Sequence, residues 1–272
     1  MLWMHYAMFN LQLTHIVRRC LCAGVLAAAL SGGSAQAAEP GAQAILAAAD
    51  KVRNPAASFK FVNELVEYRN GVEDERLALQ VYSKLDHGSE QYRNLARYTR
   101  PARDAGKVFL MSGNIMWFYD PAASARIRIS PQQRLIGQAS NGDVLSVNLE
   151  KDYKAELVGA EQINDAERKP RQTWHLNLTA ATPAAVYARV EYWVEQDTNY
   201  PVKSLYYSDS GRKLKLAYYA AFKSELGGIR PTQVIILDEV DANVVTRMTF
   251  SGYEKAEVPE NWFDYEFLAR LP

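Results

Sequence analysis

The chain has 272 residues, with 31 Lys and Arg against 31 Asp and Glu and two cysteines, so its formal charge is zero. That balance excludes the basic footprint of a nucleic-acid binder and a polybasic attraction to anionic lipid. The length suffices for one large β domain without covalent staples.

Arg18 and Arg19 precede an apolar run from Cys20 to Leu30, and Ser31-Gly32-Gly33-Ser34 leads into Ala35-Gln36-Ala37, a small-x-small cleavage pattern. This predicts a secretory signal peptide over 1–37 and a mature domain over 38–272. The apolar run is about half the ~20 residues that a spanning helix needs. Met1 to Val17 makes a long n-region, so Met4 and Met8 are candidate starts. No lipid-attachment motif precedes a cysteine at the right place, so the mature chain is expected to be soluble in the periplasm. Both cysteines, Cys20 and Cys22, fall in the leader, which leaves the mature chain without disulfide or thiol chemistry. Loss of Arg18 and Arg19 leaves 29 basic against 31 acidic residues, a formal charge of −2.

The mature chain begins with a predicted helix over 41–53, with Ile45, Leu46, Ala49 and Val52 on one stripe, ended by Asn54-Pro55. Strands follow over 59–68 and 76–84, joined at Asn70-Gly71. In the second, Leu77, Leu79 and Val81 alternate with Ala78, Gln80 and Tyr82. In the strand over 91–100, Tyr92, Ala96 and Tyr98 share one face, opposite Arg93, Leu95 and Arg97. The segment 107–130 reads as strand, turn, strand, turn, strand: Ser112-Gly113-Asn114 tolerates positive φ and Asp120-Pro121 ends the second strand. Ile115-Met116-Trp117-Phe118-Tyr119 is apolar on both faces, so both need cover.

Residues 131–139 and 143–154 are predicted to be helical, joined by Ser140-Asn141-Gly142. Leu135, Ile136, Val144, Leu145, Val147 and Leu149 give this insert an apolar face. It is either a fixed plug over the open side of the sheet or a lid, for which Gly137 and Gly142 offer hinges. Strands then recur at about 155–163, 172–179, 186–196, 202–208, 212–222, 230–238 and 244–254. Short turns at this spacing argue for one antiparallel sheet, curled or closed.

Chemistry is sparse. The mature chain has two histidines: His87 in a polar turn and His175 on a strand. No His pair stands at metal spacing, and there is no Gly-x-Ser-x-Gly elbow or phosphate loop. Asp238, Glu239 and Asp241 read as a solvated turn. No enzyme constellation, metal site or cofactor site is therefore expected. Aromatics say more: Tyr187, Tyr192, Trp193, Tyr200, Tyr206, Tyr207, Tyr218 and Tyr219 crowd the C-terminal half, and several strands carry large apolar groups on both faces. Ordinary core packing gives this pattern, and so does a ligand-holding concave face.

Arg97-Tyr98-Thr99-Arg100-Pro101, then Val108 to Pro121 with its Trp117-Phe118-Tyr119-Asp120-Pro121 ending, resembles the periplasmic lipoprotein carrier LolA and its wider family. Ser140 to Ser146 and Trp193 to Pro201 resemble its outer-membrane lipoprotein-sorting branch. The resemblance implies a mainly β fold with some α: a single curled antiparallel sheet of about eleven strands, forming an open, incomplete β-barrel covered by short helices. It implies carriage of lipid or lipoprotein acyl chains toward the outer membrane by a monomer. The partners implied are an inner-membrane exporter of the resistance-nodulation-division (RND) type and an outer-membrane acceptor. The Arg-Pro pair that follows the carrier's second strand is absent here, Lys84 being the nearest cation. Leu77, Leu79, Val81, Tyr92, Tyr98, Trp117 and Tyr119 are the cavity candidates, and Leu135, Ile136, Val144 and Leu145 the lid candidates. The alternative is a non-carrier accessory, or a lipoprotein-sensing regulator of the envelope, with the same fold.

Overall fold

The computed structural model describes residues 40–239, 241 and 243–272; the expected leader lies outside them. The first element is a helix, α1 (Ala42–Arg53), which buries Ile45, Leu46 and Ala49 as its apolar stripe requires, joined by Asp50. Six strands follow: β1 (Phe59–Arg69), β2 (Val72–Asp86), β3 (Gln91–Arg100), β4 (Val108–Ser112), β5 (Ile115–Asp120) and β6 (Ala125–Ile129). After an insert come β9 (Tyr153–Asn164), β10 (Pro170–Ala180), β11 (Arg189–Glu195), β12 (Pro201–Tyr207), β13 (Lys213–Glu225), β14 (Gly228–Asp238) and β15 (Val244–Lys255).

All thirteen belong to one antiparallel sheet, ordered β6-β5-β4-β3-β2-β1-β15-β14-β13-β12-β11-β10-β9. The expected count of about eleven is too low by two, because every window of alternation forms a strand, including the three short ones of 107–130. The sheet is two meanders joined where β1 pairs with β15. Its edges, β6 and β9, do not pair with each other. Arg126 and Arg128 on β6 are exposed, and charge on an edge discourages pairing with another chain.

The insert corrects the helical expectation for 131–139 and 143–154. It forms a small hairpin, β7 (Arg134–Ile136) with β8 (Ala139–Ser140), then a 3-10 turn over Asn141–Val144 and a single helical turn, α2 (Leu149–Asp152). Two local causes break a continuous helix. Gly137 turns the hairpin at φ +51, where an added Cβ would lie 2.2 Å from Thr246 Oγ1. Ser140 and Asp143 close a capping box that starts the 3-10 turn afresh.

One face of the sheet gathers Phe59, Phe61, Leu79, Val81, Phe109, Met116, Ala217, Ile236 and Met248 into a cluster with Ile136, Val144 and Leu145 of the insert. A second cluster on that face seats α1 against Leu176, Leu178, Val190, Tyr192 and Val194. The opposite face of β3 to β5 is covered by the C-terminal segment, whose Val258, Phe263 and Leu268 pack on Leu95, Val108, Leu110 and Tyr119. Lys84 and Arg93 both pair with Glu260 of that segment at 2.6 Å.

Candidate functional site

Alternation along β12 to β15 turns Tyr206, Ala217, Tyr219, Val234, Ile236, Met248 and Phe250 to the inner face. With Phe61 of β1 they floor a cavity of about 120 Å³. Val144, Leu145 and Val147 roof it, and Arg53 and Asn54, at the end of α1, close one side. A cavity of roughly 150 Å³ holds one benzene-sized molecule, so the space present is too small for an acyl chain.

Polar side chains pin the roof on both sides of Val144-Leu145. On one side, Lys215 of β13 is 3 % exposed and bonds Asp143. Tyr187 Oη donates to Asp143 Oδ1 at 2.7 Å, and the Lys215 ammonium lies 4.9 Å from the Tyr187 ring centroid and 5.4 Å from that of Tyr206. Burial pulls the Lys215 pKa down while Asp143 opposes it, and burial holds the Tyr187 phenol well above its ordinary value. Gln138 N–H donates to Thr246 Oγ1 at 2.8 Å. On the other side, Ser83 Oγ donates to Asn94 Oδ1 at 2.8 Å, and Asn94 Nδ2 donates to the Ser146 carbonyl at 2.8 Å. Asn54 Nδ2 donates to the Val147 carbonyl at 2.8 Å. Ser83 and Asn94 are fully buried, so these bonds form where water does not compete.

The α1 end of the cavity is polar. Arg53 pairs with Asp50 at 2.8 Å, and the Glu150 N–H donates to Asp50 at 2.8 Å. Burial pushes the Asp50 carboxyl from 3.8 up to about 6, against the pull of Arg53. Arg230, 3 % exposed, donates to the carbonyls of Glu225 at 2.9 Å and Val52 at 3.4 Å, the second at the C-terminus of α1. Burial pulls its guanidinium below the ordinary value.

The cavity candidates divide. Leu77, Leu79, Val81, Tyr92 and Tyr98 lie on the inner face and pack together with Leu135, Ile136, Val144 and Leu145 of the insert. Of these, Val144 and Leu145 line the cavity; the β2 and β3 residues sit beside it as packed core. Trp117 and Tyr119 are a correction. They point to the opposite face, where Trp117 stacks on Tyr265 with centroids 4.8 Å apart and Tyr119 joins the C-terminal cluster. Met116 and Phe118 take the inward positions instead. The floor residues of β14 and β15 are not among the sequence candidates, although Val234/Ile236 and Met248/Phe250 alternate cleanly. Ser83 and Asn94, which interrupt the apolar alternation, are the buried anchors.

His87 is exposed in its turn. His175 stacks on Trp193 at 4.3 Å on the outer face, between Glu161 at 3.4 Å and Glu191 at 3.3 Å. Among the described residues, no three His, Cys, Asp or Glu are grouped to hold a metal ion.

A family model described as an uncharacterized protein matches residues 90–270. No curated protein matches the chain. A LolA superfamily protein from Nitrosomonas europaea is 31 % identical, covers 84 % of this chain and 100 % of its own, and superposes with a TM-score of 0.74. A DUF1329 family protein from Desulfovibrio piger is 20 % identical, covers 84 % of this chain and 97 % of its own, with a TM-score of 0.70. An outer membrane lipoprotein-sorting protein domain from Vibrio parahaemolyticus is 18 % identical, covers 84 % and 98 %, with a TM-score of 0.69. The last two share the fold.

Proposed function

The chain belongs to the LolA superfamily, and from that premise we propose that it is a periplasmic carrier which shelters acyl chains on the inner face of its sheet. One observation carries the reading: a cavity with an apolar floor lies under a strap whose Val144 and Leu145 are flanked by the polar anchors Asp143 and Ser146. A cover fastened by a few side-chain hydrogen bonds, and not by a continuous strand ladder, can lift and close again. Loading displaces Val144 and Leu145 and opens the floor formed by Ile236, Met248 and Phe250. Affinity then comes from burial of the chain, at roughly 25 cal/mol per Å² before ordering costs. The cargo is a lipid or the acyl portion of a lipoprotein, released to an outer-membrane acceptor after loading from an inner-membrane RND-type exporter. The export leader expected over 1–37 accords with that compartment, and no catalytic step is involved.

The test is to purify the protein from the envelope of its own host and analyse the organic extract by mass spectrometry. Acyl species near stoichiometric amounts are expected, with displacement of the neutral fluorophore N-phenyl-1-naphthylamine by added lipid. An extract without acyl species, together with no fluorophore uptake by the stripped protein, rules the carrier out and favours a non-carrier envelope role.

A further inference from the structure

Asn63 of β1 differs from the buried polar residues that fasten the strap. It is 0 % exposed, and neither its Oδ1 nor its Nδ2 has a hydrogen-bond partner among the described residues. Asn94, equally buried on β3, accepts from Ser83 Oγ at 2.8 Å and donates to the Ser146 carbonyl at 2.8 Å. Thr246, also fully buried, accepts from the Gln138 N–H at 2.8 Å. A side-chain amide buried with its donors and its acceptor both unmet bears the desolvation cost of each, with no bond in return.

Its position puts that amide at the edge of the cavity. On the inner face of β1, Asn63 lies between Phe61 and Leu65, and it stands opposite Phe250 of β15 and Leu79 of β2. Phe61 and Phe250 line the cavity. Phe61, Leu65 and Leu79 belong to the cluster that Ile136, Val144 and Leu145 of the insert complete, with Phe250 packed against it. The strap therefore helps to close this region to water while giving Asn63 no partner. The flanking side chains are all apolar, so a charged group brought among them would be buried at high cost. A bare hydrocarbon would leave the amide unmet. The group that fits is neutral, polar and joined to an apolar chain.

Resting on the carrier reading, we propose that Asn63 determines the linkage of the cargo: it hydrogen-bonds the carbonyl at the head of an acyl chain carried as an ester or an amide. With the strap lifted, the tail lies over Met248 and Phe250, and Asn63 Nδ2 donates to the oxygen of the first carbonyl. An amide-linked chain also carries an N–H, the donor that Oδ1 lacks; an ester does not. A free carboxylate is disfavoured by the apolar surround. Loading exchanges an unmet buried amide for a hydrogen-bonded one, so the gain belongs to the complex and not to the empty protein.

The stripped mature protein is loaded with N-phenyl-1-naphthylamine and titrated with methyl dodecanoate, with N-methyldodecanamide and with tetradecane, which matches the ester in chain length and lacks the carbonyl. The ligands also differ in water solubility, so the readout is how the displacing concentration of each carbonyl ligand, taken relative to tetradecane, changes on mutation. Asn63→Leu keeps a branched side chain without polar atoms, and Asn63→Ala cannot overfill the site; thermal melts show which variants fold. A folded variant is expected to lose about five-fold in displacement by the carbonyl ligands relative to tetradecane, the worth of one neutral hydrogen bond. The ligand with the larger fall names the linkage, and equal falls mean that the carbonyl alone is read. Unchanged ratios in the folded variants overturn the assignment of Asn63 and leave carriage standing. Displacement by no ligand, in the parent protein, overturns carriage itself.

Discussion

At the scale of single residues, the molecule turns on a lysine whose burial has no signature in the sequence. Lys213 is exposed and Lys215, two positions on, is 3 % exposed. The difference is that the strap crosses the strand at Lys215, where Asp143, Tyr187 and the Gln138 carbonyl surround the ammonium. Lys215→Met leaves the Asp143 carboxylate nearly buried without its cation. That is expected to lower stability by about 3–5 kcal/mol, because an uncompensated buried charge is worse than none. Lys215→Met with Asp143→Asn is expected to recover most of that loss. Urea denaturation of both variants checks it; equal losses in the single and double variants mean that the pair does not act as a pair.

Elements whose pattern answers only to the sheet were legible, and the element that answers to something else was not. Period-two alternation marks most of the strands, because they meet a buried and a less buried environment in turn, whereas β4, buried on both faces, is marked by the turn residues that follow it. The apolar residues of 131–154 have the spacing of helical faces, yet Leu135, Ile136, Val144 and Leu145 reach the sheet beneath them from a hairpin and a 3-10 turn, with Gly137 turning the chain between them. The parity of Ile115 to Tyr119 was also readable, but not which side was inside. Met116 and Phe118 face the core, whereas Trp117 and Tyr119 lie under a C-terminal segment more than a hundred residues away in sequence. No local pattern specifies that partner. The consequence is a separation of roles between the faces. Phe263, 6 % exposed, belongs to the outer cover, so Phe263→Ala is expected to cost about 3–5 kcal/mol of stability while leaving fluorophore affinity unchanged. Thermal melts and fluorophore titrations distinguish the two effects. A matching fall in affinity would mean that the faces are coupled.

Across the whole described domain, connectivity decides where the strap runs. β6 is one edge of the sheet and β9 the other, and residues 130–152 are the chain between them. A connection from edge to edge must pass over a face, and it passes over the inner one, so both its ends are fixed to edge strands while its middle is held by side chains. That geometry suits a cover that lifts at its middle without leaving the molecule, and a cavity of about 120 Å³ requires such movement before a chain can enter. An added Cβ at Gly142 would lie 2.8 Å from a Val186 methyl, close enough that cysteines at 142 and 186 can approach disulfide geometry. The mature chain offers no competing thiol, since Cys20 and Cys22 fall in the expected leader. Gly142→Cys with Val186→Cys is therefore expected to fold, to refuse the fluorophore when oxidised, and to accept it once a reductant opens the bond. Uptake at the same rate in both redox states would show that the strap is a fixed plug and that cargo enters elsewhere. Uptake confined to the reduced state makes residues 142–147 the moving cover, and assigns the polar fastenings at Asp143 and Ser146 to holding it shut.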